Sequence, residues 1–112
     1  MKREVPSGYK GMWLFVIFDL PVMEKAQRKA YSTFRKRLLS EGFSMLQYSV
    51  YARYSNSREN CLSYINRIKK IIPPEGEVRL VYITDKQFGD MEVFYGKVKK
   101  KPENPPEELL LF

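Results

Sequence analysis

Residues 12–21, which read MWLFVIFDLP, decide the fold. The run from Met12 to Phe18 is apolar throughout, as in a buried strand, and Pro21 forces the chain out of that strand. Asp19 lies where the strand ends. A carboxylate at the mouth of an apolar strand loses hydration unless a cation or hydrogen-bond donors hold it. Asp19 is therefore either a metal ligand or an acceptor of backbone N–H bonds in the turn that follows.

The composition limits both the size of the core and the available chemistry. The chain has 112 residues, enough for one small domain, and its 44% hydrophobic content predicts that it folds. The net charge of +7 favours a polyanionic partner such as nucleic acid, because lysine and arginine bind phosphates and release counterions. The sequence contains no histidine, which excludes histidine acid–base catalysis, Ser-His-Asp triads and Cys/His zinc sites.

The cysteine content and the hydropathy pattern favour the cytoplasm. Cys61 is the single cysteine, so an intrachain disulfide is excluded and a reducing compartment is expected. We interpret it as a small buried residue rather than a reactive thiol. The beginning of the chain lacks a signal-peptide pattern, and residues 12–18 are too few to cross a bilayer. We therefore expect no membrane partner.

Residues 24–41 have the periodicity of a helix that stops at Gly42. Apolar residues recur every four positions and form one stripe: Ala26, Ala30, Phe34 and Leu38. Cations lie opposite this stripe or flank it: Lys25, Arg28, Lys29, Arg35 and Lys36. They form either a solvated charged face or a surface that binds phosphates.

Residues 43–54 are rich in tyrosine and valine, as strands are. Their apolar positions change face near Gln47, which indicates either a β-bulge or two strands joined by a very tight turn. Asn56 and Glu59 have the spacing of a reciprocal cap and predict a second helix to about Ile71. Residues 73–76 (PPEG) then turn the chain into a buried strand, and Asp85 at its exit is predicted to be a turn residue.

The end of the chain changes in composition. Residues 91–96 predict a short further strand, so we assign the folded domain to residues 1–96 and a Pro-rich tail to residues 97–112. The tail ends in four apolar residues: Leu109, Leu110, Leu111 and Phe112. We expect these residues to dock on a second copy or on a different protein, because fraying into solvent explains four exposed apolar side chains poorly.

The order of these elements predicts an α+β, ferredoxin-like βαββαβ fold, with both helices on one face of an antiparallel sheet. The other face would stay largely open, although the first strand needs apolar cover there too. A second copy is the economical cover for so small a chain, so we predict a homodimer packed through its sheets. The short strand near Phe94 would extend a sheet between the two chains.

An ordered set of short segments resembles the CRISPR-associated Cas2 family, in the version found in type II CRISPR systems. The segments are residues 14–22 (LFVIFDLPV), 30–31 (AY), 34–36 (FRK), 42–43 (GF) and 47–51 (QYSVY). Each segment is short, but together they cover residues 12 to about 95 in the order that the family has.

This resemblance implies properties that composition does not show. In that family the fold is ferredoxin-like and dimeric, and the C-terminal strand and tail help to join protomers or the Cas1 integrase. The resemblance implies that the assembly captures a double-stranded DNA prespacer and inserts it into the CRISPR array. It also implies that Asp19 is the family's acidic residue, a Mg²⁺ ligand, with metal-dependent endonuclease activity on RNA or DNA in some members.

Two functions follow, and the sequence favours the scaffold over the enzyme. A row of cations on one helix is sufficient to bind the phosphates of a duplex. One carboxylate per chain, by contrast, is fewer acidic metal ligands than ordinary two-metal nucleases have. A toxin-type or defence endoribonuclease that acts on its own is the weaker alternative. An RNA-recognition module is disfavoured because its aromatic RNP pattern is absent from the sequence.

Overall fold

The computed structural model describes residues 11–100. In chain order the elements are β1 (Met12–Asp19), α1 (Lys25–Ser40), β2 (Ser44–Gln47), β3 (Val50–Ser55), α2 (Arg58–Lys69), β4 (Glu77–Thr84), α3 (Asp85–Gly89), β5 (Val93–Tyr95) and β6 (Val98–Lys100). The first four strands form an antiparallel sheet in the order β2-β3-β1-β4, and β5 and β6 form a separate hairpin. The predicted α+β, ferredoxin-like fold is confirmed.

Strand β1 lies in the middle of the sheet and has two different faces. Its even-numbered residues point to the side that carries α1 and α2, where Leu14, Val16 and Phe18 are buried in the main core. Its odd-numbered residues point to the opposite side, which we call the second face. Asp19 is the last odd-numbered residue, so the alternation of β1 places it at one end of the second face.

Helix α1 begins and ends where the sequence predicts. Glu24 caps its N-terminus through a reciprocal arrangement with Gln27, and the helix gives way to a turn at Glu41 and Gly42. Phe34 and Leu38 of the predicted stripe are buried against the sheet. Ala30 is only partly buried and Ala26 is exposed, so the later half of the stripe fixes which side of α1 faces solvent.

The segment from β2 to β3 contains both features that the sequence left as alternatives. The register of the β2–β3 pair shifts between Met45 and Gln47, and a tight turn at Tyr48 and Ser49 joins the two strands. Ser49 has a positive φ of 67°, so a serine supplies the left-handed conformation that glycine or asparagine usually provides.

The predicted cap of the second helix is wrong by one residue. Ser57 is the N-cap, and its hydroxyl accepts a hydrogen bond from the Asn60 backbone N–H at 3.1 Å. Asn56 instead accepts a side-chain hydrogen bond from Asn60 at 2.6 Å. The predicted burial of Cys61 is confirmed, since its side chain is fully enclosed.

A short helix that the sequence analysis did not predict covers one end of the second face. Asp85 begins α3 rather than lying in a simple turn, and it accepts a hydrogen bond from Trp13 Nε1 at 3.3 Å. The Phe88 ring of α3 stacks on Trp13, with 3.9 Å between ring centroids. The second face is therefore closed at the end where β1 begins and less covered toward Asp19.

The beginning of the predicted tail is part of a strand. Strand β6 pairs with β5 and lies within the segment that the sequence analysis assigned to the tail. The apolar residues Leu109 to Phe112 lie outside the described residues, so their docking stays a prediction. Among the helices of residues 11–100, none is long and apolar enough to cross a membrane.

Candidate metal and nucleic-acid site

Asp19 is exposed at the end of β1, on the second face. Within residues 11–100 its carboxylate has no hydrogen-bond or ion-pair partner. The turn of residues 73–76 packs closely behind it, because Gly76 adopts a φ of +97° and a Cβ there would lie 2.8 Å from the Asp19 carbonyl oxygen. The local backbone is thus held firmly while the carboxylate is left accessible.

Strand β4 brings two charged residues to the same end of the second face. In the antiparallel pair of β1 with β4, Asp19 is opposite Glu77 and Ile17 is opposite Arg79. Directly paired residues point to the same side of a sheet, with Cβ atoms roughly 5 Å apart. Arg79 Nη2 donates a hydrogen bond to Glu77 Oε2 at 2.9 Å. Asp19 therefore lies beside a second carboxylate and a cation.

Glu77 and Arg79 were not among the residues predicted from the sequence. Glu77 and Arg79 are two positions apart in β4, and alternate side chains of a strand point to the same face. Their spacing could therefore have shown that they share a face. The missing information was the register of β4 on β1, which no local pattern encodes.

These oxygen ligands fit a sparsely coordinated Mg²⁺ ion. Magnesium accepts one or two carboxylates, keeps several waters and takes phosphate oxygens. Asp19 offers an accessible carboxylate, and Glu77 offers a second carboxylate that forms an ion pair with Arg79. No cluster of at least three acidic or cysteine side chains suited to a metal occurs between residues 11 and 100.

The predicted cationic residues of α1 are all exposed. Lys25, Lys29 and Lys36 lie opposite the side of α1 that packs on the core. Arg28 also has a structural role, because its Nη1 donates to the carbonyl oxygens of Val22 at 3.2 Å and Met23 at 2.9 Å. The lysines are thus the cations whose function is least tied to holding the chain in place.

Asp19 and the cations of α1 do not lie on the same side of the sheet. Helix α1 covers the face that buries Phe18, whereas Asp19 points to the second face. The chain connects them where it passes from the end of β1 at Asp19 to the start of α1 at Lys25. A nucleic acid held along α1 and a metal at Asp19 would therefore make separate contacts with one chain.

Comparison with known proteins gives a consistent result. Residues 12–91 match the family described as CRISPR associated protein Cas2. A protein of Flavobacterium psychrophilum named CRISPR-associated endoribonuclease Cas2 is 46% identical over 95% of this chain and 92% of its own length. A protein of Parvibaculum lavamentivorans with the same name is 46% identical over 90% of this chain and 100% of its own. Both similarities extend over nearly the whole sequence.

A solved structure agrees on the fold. The structure titled "Crystal structure of cas2" superposes with a TM-score of 0.52 and 22% sequence identity, covering 87% of this chain and 95% of that one. At this identity the likeness concerns the arrangement of strands and helices alone.

Proposed function

Because this chain belongs to the CRISPR-associated Cas2 family, we propose that it is the dimeric, nucleic-acid-binding subunit of a Cas1–Cas2 spacer integration complex. The ligand would be double-stranded prespacer DNA, and the compartment would be the cytoplasm. The observation that carries the proposal is the exposed row of lysines on α1, on the side away from the core.

The geometry of α1 suits a phosphate chain. Lys25 and Lys36 lie eleven positions apart, which corresponds to about 16 Å along a helix. Lysine contacts to phosphates carry no sequence information, so binding would be independent of sequence and steeply dependent on salt. This is the property expected of a subunit that accepts duplexes of any sequence.

The second face supports dimerisation. Ile17 and Val81 are 37% and 43% exposed there, and the β5–β6 hairpin also presents apolar side chains. Among residues 11–100, the outer edge of β4 has no strand paired with it. A second copy would bury these apolar residues and could pair with the exposed edge of β4. For a chain of this size, association with a second copy needs no additional domain. The tail residues Leu109 to Phe112 would add contacts with the second copy or with Cas1.

Duplex binding tests the scaffold. A triple variant Lys25→Ala, Lys29→Ala and Lys36→Ala should weaken binding to unrelated duplexes equally and lower the slope of log affinity against log salt by about 2–3. The matched control, Lys69→Ala, Lys70→Ala and Lys97→Ala, removes the same charge from other exposed positions. Equal losses in both variants, or none in the first, would show that α1 is only a solvated face.

A second function, metal-dependent endoribonuclease activity, is favoured by the accessible Asp19 carboxylate. The names of the two relatives described above contain the word endoribonuclease, without mention of a metal. Asp19 would hold Mg²⁺ together with Glu77 or with the Asp19 of a second copy. A bound Mg²⁺ polarises a phosphodiester and lowers the pKa of a coordinated water. Arg79 lies close enough on the same face to contact a phosphate at that site.

An Asp19→Asn variant separates the two functions. We expect Mg²⁺-dependent cleavage of single-stranded RNA or duplex DNA to disappear, while integration of a prespacer in the presence of Cas1 persists. Loss of both activities would place Asp19 in the scaffold itself. Unchanged cleavage would remove Asp19 from any hydrolytic reaction. If the wild-type protein cleaves nucleic acid strongly without Cas1 and supports no integration with Cas1, the toxin-type or defence endoribonuclease is favoured instead.

A further inference from the structure

A groove runs beside α1, between this helix and the segment that follows α2. Two hollows there share Ala30, Pro73 and Pro74, so they adjoin and form one surface, which we call the α1 groove. The first hollow has a volume of about 420 Å³, in the range of small-ligand pockets. Its remaining lining is mostly apolar and includes Leu20, Pro21, Ala26 and Tyr31.

The α1 groove exists because the first half of the apolar stripe consists of alanines. Phe34 and Leu38 are buried, whereas Ala30 is only partly buried and Ala26 is exposed. A methyl side chain is too short to fill the space between α1 and the two prolines opposite. The apolar walls are therefore left uncovered and bordered by charged residues, as is usual for a site that binds a polypeptide.

The walls of the α1 groove are held in place by Gln27. Its Nε2 atom donates a hydrogen bond to Glu75 Oε1 at 2.8 Å, which links α1 to the opposite wall. Its Oε1 atom accepts from the backbone N–H groups of Met23 at 3.0 Å and Glu24 at 2.9 Å. A groove that is already formed loses little entropy when it is occupied.

The two hollows of the α1 groove differ in charge. Glu24 and Glu75 line the first hollow, and Arg37 and Lys70 line the second. Both of these cations are exposed, and neither forms an ion pair within residues 11–100. A carboxylate that lay in the second hollow would therefore meet two cations that no described carboxylate neutralises.

Residues 107–112 have a pattern that matches this groove. They read EELLLF, so two carboxylates precede four apolar side chains. With Glu107 and Glu108 beside the cations of the second hollow, the apolar side chains would lie along the prolines toward the first hollow. The opposite direction would place both carboxylates beside Glu24 and Glu75, which repel them.

The connecting residues are long enough to reach the α1 groove from β6. Lys100 pairs with Val93, which shares a hollow with Phe15 on the second face, whereas the α1 groove lies on the helix-covered side. The smallest extent of the molecule is 20 Å. Six residues with three prolines, as in residues 101–106, span roughly 20 Å in the extended form of a Pro-rich linker.

We propose that residues 107–112 dock in the α1 groove of the same chain, with Leu109 to Phe112 against its apolar walls. The docked state belongs to the free subunit and goes beyond the proposed function, in which the same residues contact a second copy or Cas1. A short linker holds its segment at an effective concentration of about a millimolar, so docking within one chain outcompetes the tails of other copies in dilute solution.

Limited proteolysis of the full chain with thermolysin, followed by mass spectrometry, tests the docking. Thermolysin cleaves before apolar residues, and a tail that is docked about nine-tenths of the time should be cut about tenfold more slowly than a free peptide of residues 101–112. Ala26→Trp fills the first hollow from an exposed position and should remove most of this protection. The matched control, Ser63→Trp at an exposed position of α2, should leave it unchanged.

A charge reversal provides a second test that does not depend on the fit of a large side chain. Arg37→Glu combined with Lys70→Glu should speed cleavage of the tail. Adding Glu107→Lys and Glu108→Lys to the same chain should restore the protection, because the opposite charges again face each other. Cleavage that stays fast in the fourfold variant would overturn the placement of the two carboxylates.

Three results would overturn the docking itself. They are a wild-type tail cut as fast as the free peptide, equal effects of Ala26→Trp and Ser63→Trp, and protection that increases with protein concentration. The last result would assign the tail to a second copy, because docking within one chain does not depend on concentration. Neither nucleic acid nor Cas1 enters these measurements, so a failure of the proposed function would leave their outcome unaffected.

Discussion

The two faces of β1 differ although the same eight residues build both. Leu14, Val16 and Phe18 on one face are buried beneath α1 and α2. On the other face, burial decreases along the strand from Trp13 through Ile17 to the exposed Asp19. One face is closed by the chain itself, and the other is closed only where the strand begins.

This difference separates stability from function along a single strand. On the helix-covered face, Phe18 packs edge-on against Phe34 at 5.2 Å between centroids and near Tyr51 at 5.7 Å. On the second face, the stacked pair of Trp13 and Phe88 is followed by residues with little cover. We infer that the covered face sets the free energy of unfolding, while the second face is available for a second copy and for a metal.

The largest effect should come from deleting a side chain of the covered face. Leu14→Ala removes a fully buried side chain and should lower the free energy of unfolding by about 3–4 kcal/mol. Val81→Ala, on the second face, should cost less than about 1 kcal/mol in the monomer. Urea unfolding measures both, and equal costs for the two substitutions would contradict the distinction between the faces.

The next effect concerns association rather than folding. Ile17→Glu places a charge in the centre of the proposed contact between copies and should weaken the dimer by roughly 2–3 kcal/mol, about 30- to 150-fold. The chain should still fold, because Ile17 is partly exposed in one copy. Val22→Glu, at an exposed position before α1, is the matched control. Sedimentation analysis of both variants checks this, and an unweakened Ile17→Glu dimer would exclude the second face from the interface.

The closed end of the second face can be tested by a smaller change. Trp13→Phe keeps a ring to stack on Phe88 but removes the indole N–H that donates to Asp85. We expect a loss of about 1 kcal/mol in urea unfolding, the usual contribution of one such hydrogen bond. In an Asp85→Ala background the same substitution should cost clearly less, and an identical cost would mean that the hydrogen bond contributes nothing.

The smallest expected effect is a pH dependence of the unfolding free energy, which arises from Cys61 in the main core. Burial raises the pKa of the Cys61 thiol, so the folded chain holds this proton more tightly than the unfolded chain. Its contribution to stability is complete below the unfolded thiol pKa of about 8.5 and is lost as pH rises toward the higher folded value. We expect Cys61→Ala to reduce the decline in unfolding free energy above that pH. An unchanged alkaline slope would contradict this assignment.

The sequence predicted the elements that depend on local patterns. Three features have a short-range signal in the sequence and are observed in the structure. They are the apolar run of β1, the apolar stripe of α1 and the change of face of the apolar positions near Gln47. The same patterns located Asp19 at a strand end and the lysines on a solvent-facing side of α1. The family resemblance is likewise carried by short ordered segments.

The remaining features depend on contacts between residues far apart in the chain. Glu77 lies beside Asp19 only through the register of β4 on β1, which the hydrophobic pattern of β4 does not fix. Helix α3 is too short for a periodic signal and is stabilised by the stacking of Phe88 on Trp13. Local reasoning locates candidate functional residues but does not determine which of them meet.

The decisive experiment is sedimentation velocity of the wild-type chain, with and without a duplex of arbitrary sequence. We expect a homodimer that moves with the duplex at low salt and releases it as salt is raised. A single subunit that leaves the duplex free at every salt concentration, with or without Cas1, would contradict it.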